Sequence, residues 1–158
     1  EEATLARFIG TLREAQEKLA GKHRQRKPML LKIAPDLTPT EMDGIAEVLL
    51  ASGIDGLICT NTTVDREVLH GHPLAAEAGG LSGRPLMARA TRVLHAMHER
   101  LGARVPIIGV GGILAGADAT AKFEAGAQLV QFYSGMVYRG PALIGECVEA
   151  LRAHRARP

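Results

Sequence analysis

Four short apolar runs constrain this chain more than any other feature, because each ends in polar or glycine-rich chemistry and each is followed by a helical pattern. They are MLLKIAPD from Met29, GLICTNT from Gly56, VPIIGV from Val105 to Val110, and AQLVQFYSGM, whose strand runs from about Gln128 to Tyr133. Apolar strands alternating with helices predict a parallel sheet with helices packed over it. The third run is the sharpest. Five of the first six residues of VPIIGVGGI are β-branched or proline, and the run then stops at Gly111-Gly112. A strand that ends on two glycines lets a ligand approach the backbone, since no Cβ blocks it and positive φ can turn successive N–H groups toward one anion. A helix from about Ala115 to Ala125 adds the positive end of its dipole. The same pair would equally serve a tight βα turn.

The helical patterns fill the intervals. Residues 3 to 20 put Leu5, Phe8, Ile9, Leu12 and Leu19 on one face, which predicts an amphipathic helix packed on something. Thr38-Pro39-Thr40-Glu41 fits a capping box with proline at the first helical position, and Met42, Ile45, Ala46 and Leu49 continue it to about Ser52, with Gly53 as the stop. Pro85 opens a third helix with Leu86, Ala90, Val93, Leu94, Met97 and Leu101 inward, and Gly140-Pro141 starts a last one with Ile144, Cys147, Val148 and Leu151 inward. Between the second strand and the third helix lies a long polar connection, Val64 to Arg84, that ends in GGLSG. Connections this long inside a compact domain are usually lids or binding loops.

Composition narrows the class. The chain has 158 residues, enough for one region, 1–158, with a sizeable core, and its net charge of +2 carries no nucleic-acid footprint. The one basic cluster, His23 to Lys27, reads as the solvated end of a helix. Cys59 and Cys147 read as small buried apolar residues, with a reducing compartment as the default. No apolar run approaches the ~18 residues a membrane span needs. His70 and His72 lie in the long loop, while His95 and His98 sit three apart on a helix; with no third ligand nearby they are expected to face solvent, and no metal is assigned.

One helix followed by four βα units suits either an open doubly wound sheet or half of an eight-stranded barrel. A whole barrel takes ~250 residues, and in a barrel every strand aims its C-terminal residues at one shared site, so the half barrel is the better expectation. The polar groups at those ends would then converge. Lys32 interrupts a buried strand, where an ammonium costs several kcal/mol, on the order of magnitude, unless an anion or acceptor meets it; an ion pair with a neighbouring strand would also account for it. Thr60, Asn61 and Thr62 could bind a planar polar ligand or form a turn that satisfies its own backbone. Ser82-Gly83, Gly111-Gly112 and Tyr133-Ser134 add N–H groups and hydroxyls, and a phosphate held after the last two strands recurs in such barrels.

Taken in order, LLKIAPDLT, DGLICTNTT, GGLSGRPL, VPIIGVGGI and GAQLVQFYSG resemble the second half of class 2 (quinone-dependent) dihydroorotate dehydrogenase, from Met29 to about Leu151. The resemblance implies the C-terminal half of a TIM (β/α)8 barrel that holds FMN at its strand ends. It implies that Lys32, Thr60 and Gly83 touch the flavin and that Gly111, Gly112, Tyr133 and Ser134 hold the phosphate. Asn61 and Thr62 would hydrogen-bond the dihydroorotate ring. Ser134 stands where family members often have threonine, which keeps the hydroxyl.

The implied reaction is oxidation of (S)-dihydroorotate to orotate, with hydride passed to FMN and electrons to quinone, in de novo pyrimidine synthesis. The family's base is a serine in the first half of the barrel. None of the three serines here, Ser52, Ser82 and Ser134, lies in the matching motif, so no catalytic residue is assigned and the chain reads as a fragment inactive by itself. The resemblance also implies a peripheral flavoprotein on the cytoplasmic face of the bacterial inner membrane, attached and supplied with quinone through a region outside this chain, which alone would be soluble. The competing expectations are a non-catalytic phosphate-binding half-barrel scaffold and another FMN-dependent TIM-barrel oxidoreductase.

Overall fold

The structure is a computed structural model that describes residues 2–156; of the region expected as 1–158, positions 1, 157 and 158 lie outside the described residues. The chain runs α1 (Glu2–His23), β1 (Leu30–Ile33), α2 (Pro39–Ser52), β2 (Gly56–Cys59), α3 (Met87–Leu101), β3 (Ile107–Val110), α4 (Gly116–Glu124), β4 (Leu129–Gln131), α5 (Ser134–Arg139) and α6 (Ala142–Arg155). The four strands pair in parallel in the order β1-β2-β3-β4. A doubly wound sheet reverses its strand order at a switch point, whereas a barrel adds each strand beside the last. The sequential order therefore supports the half barrel.

Strand alternation gives this sheet two unlike faces. The register aligns Leu31 with Leu57 and Ile107, and Ile33 with Cys59, Gly109 and Val130. Leu57, Cys59 and Ile107 from these rows are fully buried and pack with Leu49, Leu94, Met97 and Leu101 of the helices. The opposite face carries the row Lys32, Ile58, Ile108 and Leu129, which is half-buried to exposed. That is the face a closed barrel turns inward.

Local chemistry sets the helix ends where it is strong. The Thr38 hydroxyl accepts from the Glu41 N–H at 3.3 Å and the Glu41 carboxylate accepts from the Thr38 N–H at 2.7 Å, while Gly53 closes α2 in the left-handed conformation at φ 62°. The strands are shorter than expected: β2 stops at Cys59 before its polar end, and β3 begins at Ile107 after Pro106.

Tertiary packing corrects three expectations. Along α1 only Ile9 is buried, and Phe8, Leu12 and Leu19 are exposed, so half of the amphipathic face is uncovered. On α6 the buried residues are Leu143 and Cys147, whereas Ile144 and Val148 are exposed, because the helix seats against α4 rotated toward Leu143. His95 faces solvent as expected, but His98 is half-buried, packed so tightly over Gly126 that a Cβ there would lie 2.6 Å from its Nδ1. Cys59 and Cys147 are buried free thiols, and burial pushes Cys59 up to about 12, with Lys122 opposing. No helix among the described residues is long and apolar enough to cross a membrane.

Asp55 fixes where the sheet begins. Its carboxylate accepts from the Met29 N–H at 2.8 Å, from Arg26 Nη1 at 2.8 Å and from Gln16 Nε2 at 3.3 Å, joining α1 to the entry of β1 and β2. The Arg26 guanidinium, then the Met29 N–H, hold it at about 2, below the ordinary carboxylate value. A carboxylate whose folded-state pKa is depressed stabilises above the unfolded value and loses that contribution as pH falls. Because Arg26 is partly in water, we expect Asp55→Asn to cost on the order of 1 kcal/mol at neutral pH. Urea unfolding across pH should show a loss of stability between about pH 4 and pH 2 that the variant lacks.

Candidate functional site

Parallel pairing brings every strand's C-terminal end to one rim, and there a cleft opens. Its lining includes all nine residues singled out in the sequence: Lys32 from β1, Thr60, Asn61 and Thr62 after β2, Gly83 before α3, Gly111 and Gly112 after β3, and Tyr133 and Ser134 after β4. The cleft is shallow, about 90 Å³, and open to solvent. Ser82, Leu86, Val110, Ile113, Phe132 and Gly135 complete the wall. Phe132 was read only as part of a strand, and Ile113 as the tail of the glycine motif.

Lys32, expected to be buried, is exposed in this half barrel because it stands on the face that a closed barrel turns inward. Its row faces away from the helices, and its side chain is exposed on the cleft wall. Among the described residues no carboxylate forms a salt bridge with it. The ammonium is thus available to an anion.

The groups after β2 are already half committed. Backbone bonds from the Thr60 N–H to the Val110 carbonyl at 3.1 Å and from the Asn61 N–H to the Ile33 carbonyl at 2.8 Å tie this segment to both neighbouring strands. The Thr60 hydroxyl donates to the Asn61 carbonyl at 2.8 Å, so toward a ligand it can only accept. Asn61 Oδ1 accepts from the Thr62 N–H at 2.9 Å, which fixes the amide and leaves its NH₂ as donor toward the cleft.

On the other side stand the glycines. Gly111 and Gly112 have φ of 104° and 81°, and a Cβ on Gly112 would lie 2.5 Å from the Cα of Met87. Among the described residues, the N–H groups of Gly111, Gly112 and Ser134 donate to no backbone carbonyl, so they remain free for an anion. The Ser82 and Ser134 hydroxyls meet at 2.9 Å across the rim. Tyr133 turns its ring out, 83% exposed, and contributes backbone: its carbonyl accepts from Met136 at the start of α5. That short helix was not expected, since Tyr133-Ser134 had been read as the end of a strand.

A half-buried polar network holds the long loop at its base, and the sequence analysis does not single it out. Asp36, just after β1, accepts from the Thr63 hydroxyl, from the Val64 N–H at 3.0 Å and from Arg89 Nη1 at 3.1 Å, while Arg89 also meets Asp65. Thr63 and Leu81 exchange backbone hydrogen bonds at 3.2 and 2.8 Å, closing the excursion between them. The aspartate of IAPD was the available signal, because an acidic residue right after a strand must find donors nearby.

A family model described as dihydroorotate dehydrogenase matches residues 5–154. Proteins named "Dihydroorotate dehydrogenase (quinone)" from Flavobacterium lutescens and Xanthomonas axonopodis pv. citri are 56% and 57% identical over 158 residues, covering 100% of this chain and 45% of each relative. The chain spans less than half the length of these curated relatives. The crystal structure of DHODH in complex with ferulenol from Eimeria tenella superposes with TM-score 0.87 at 38% identity, over 96% of this chain and 44% of that one. The ligand-free form from the same organism gives 0.86. Four sequential parallel strands that match under half of such a chain are half of a TIM barrel.

The glycine turn makes a direct test of the packing. Gly112→Ala forces a Cβ into Met87 and should destabilise the full-length protein by about 1–3 kcal/mol beyond the strain of positive φ. Gly71→Ala shares a similar φ, 79°, with open space around it, and should cost only the conformational part, about 1 kcal/mol. Urea denaturation of the two variants measures the difference.

Proposed function

The chain belongs to the dihydroorotate dehydrogenase family, and from that premise we propose that it is the FMN- and substrate-binding second half of a quinone-dependent dihydroorotate dehydrogenase. On this reading the full-length enzyme oxidises (S)-dihydroorotate to orotate in de novo pyrimidine synthesis. The observation that carries it is the convergence of nine residues from four strand ends on one cleft.

The donor set fits FMN. Gly111 and Gly112 make a turn packed on Leu86 and Met87 too closely for a side chain, and with the Ser134 N–H they offer three unspent donors to a phosphate. Tyr133 backbone and the Ser134 hydroxyl flank it, and Gly83, at φ 74°, keeps the wall open beside Ser134. Thr60 presents an acceptor to a ring N–H, and Lys32 an ammonium to the ring itself. The chemistry that FMN supplies when bound is acceptance of a hydride.

The chain's own groups then divide the remaining work. A fixed positive charge at Lys32 stabilises negative charge that develops beside it, an effect largest when it is preorganised. The Asn61 NH₂ and the Thr62 hydroxyl orient dihydroorotate through its carbonyl and carboxylate oxygens. Proton removal from the substrate falls to a serine of the first half of the barrel. The enzyme so read is a peripheral protein of the cytoplasmic face of the bacterial inner membrane, reaching quinone through a region outside this chain.

The test uses the full-length protein, which should purify with FMN and reduce quinone on addition of (S)-dihydroorotate. Lys32→Ala should slow bleaching of the flavin absorbance in stopped-flow by about a hundredfold or more. A wild-type rate in that variant would remove Lys32 from the mechanism, and absence of FMN from the wild-type protein would remove the reading itself.

A further inference from the structure

Lys122 is the only charged side chain among the described residues that is fully buried. We infer that Lys122, acting through Thr91, is a positioning residue that seats the first turn of α3 against Gly112 and so shapes the phosphate cradle. The inference rests on the reading that Gly111-Gly112 binds the phosphate of FMN.

The connection can be followed atom by atom. Lys122 projects from α4 over β3, packed so closely that a Cβ on Gly109 would lie 2.9 Å from the Cβ of Lys122. Its Nζ donates to Thr91 Oγ1 at 2.9 Å, and that hydroxyl donates to the Met87 carbonyl at 2.7 Å. The direction is fixed, because a carbonyl only accepts, so the hydroxyl's single proton is spent on Met87 and the lysine must be the donor to Thr91. Met87 is the residue whose Cα and N would lie 2.5 and 2.6 Å from a Cβ on Gly112. Three elements are thereby locked in series: α4 holds α3, and α3 abuts the glycine turn of β3.

Stability does not account for this arrangement. Burial lowers the Lys122 ammonium to about 8, against the opposing influence of Cys59 and Asp118. The Asp118 carboxylate is engaged elsewhere, by Arg84 at 2.7 Å and by the N–H groups of Leu114 and Ala115 at 2.9 Å each. An apolar side chain of similar length would fill the slot without that desolvation cost. What it would not do is bond to Thr91 and fix the rotamer that holds the Met87 carbonyl.

The experiment compares FMN with riboflavin, which lacks the phosphate, in full-length protein stripped of flavin, by fluorescence titration. The double variant Lys122→Met with Thr91→Val leaves neither partner buried alone, so it should remain folded by circular dichroism. FMN affinity should fall about tenfold while riboflavin affinity stays within about twofold of wild type. Thr91→Ser keeps the hydroxyl and should bind both as wild type does. A double variant with the wild-type ratio of the two affinities, or with equal loss of both, overturns the proposal. A Thr91→Ser variant that loses the ratio also overturns it, since the methyl and not the bond would then matter. A wild-type protein with no preference for FMN over riboflavin overturns the underlying reading and this one with it.

Discussion

Parallel pairing of four strands in sequence order is the constraint from which the site follows. Parallel strands need a crossover between each pair, and here each crossover is a helix that covers the same side of the sheet. Rows of side chains on that side close into a dry core, while the alternate row, with Lys32, stays on the open side. The same geometry sends all four C-terminal ends to one rim. Functional groups placed there by separate segments become neighbours with no contact between them in sequence.

The rim is shaped by how closely β3 approaches the helices. Gly109, Gly111 and Gly112 each sit where a Cβ would strike α3 or Lys122, so the strand lies nearer the helical layer than side chains would permit. Only glycine combines that approach with positive φ at the last two positions. The consequence is a turn on the cleft wall whose N–H groups donate to no backbone carbonyl among the described residues. Its counterpart after β2 is rigid for a different reason, since Asn61 and Thr60 use their own side chains to hold their backbone.

Features encoded locally were legible in the sequence, and features decided between elements were not. The capping box of Thr38 and Glu41 and the stop at Gly53 are complete within a few residues, and α2 has the expected bounds. Eight of the nine cleft residues stand in or just after an apolar strand, and Gly83 belongs to the GGLSG that ends the long polar connection. By contrast, α5 is six residues long, too short to show a period, and begins where the strand had been expected to continue. The seating of α6 on Leu143 depends on α4, where the Glu146 carbonyl would lie 2.9 Å from a Cβ on Gly116, a fit that no single helix pattern contains. Lys122 looked like any solvated helical lysine. Its spacing of three from Ala119, itself fully buried, was the one sign that it shared the inner face.

Lys32 and Lys122 show how differently one residue type can be used in a small fold. Lys32 is exposed on the open face, where water costs it nothing and an arriving anion finds it unpaired among the described residues. Exclusion of water by a bound ring would then strengthen its field, because charge interactions grow as the local dielectric falls. Lys122 is already dehydrated, but it lies behind the sheet with one of its N–H groups donating to Thr91. Its influence on a ligand can therefore pass only through the backbone it steadies, while that of Lys32 acts directly across the cleft.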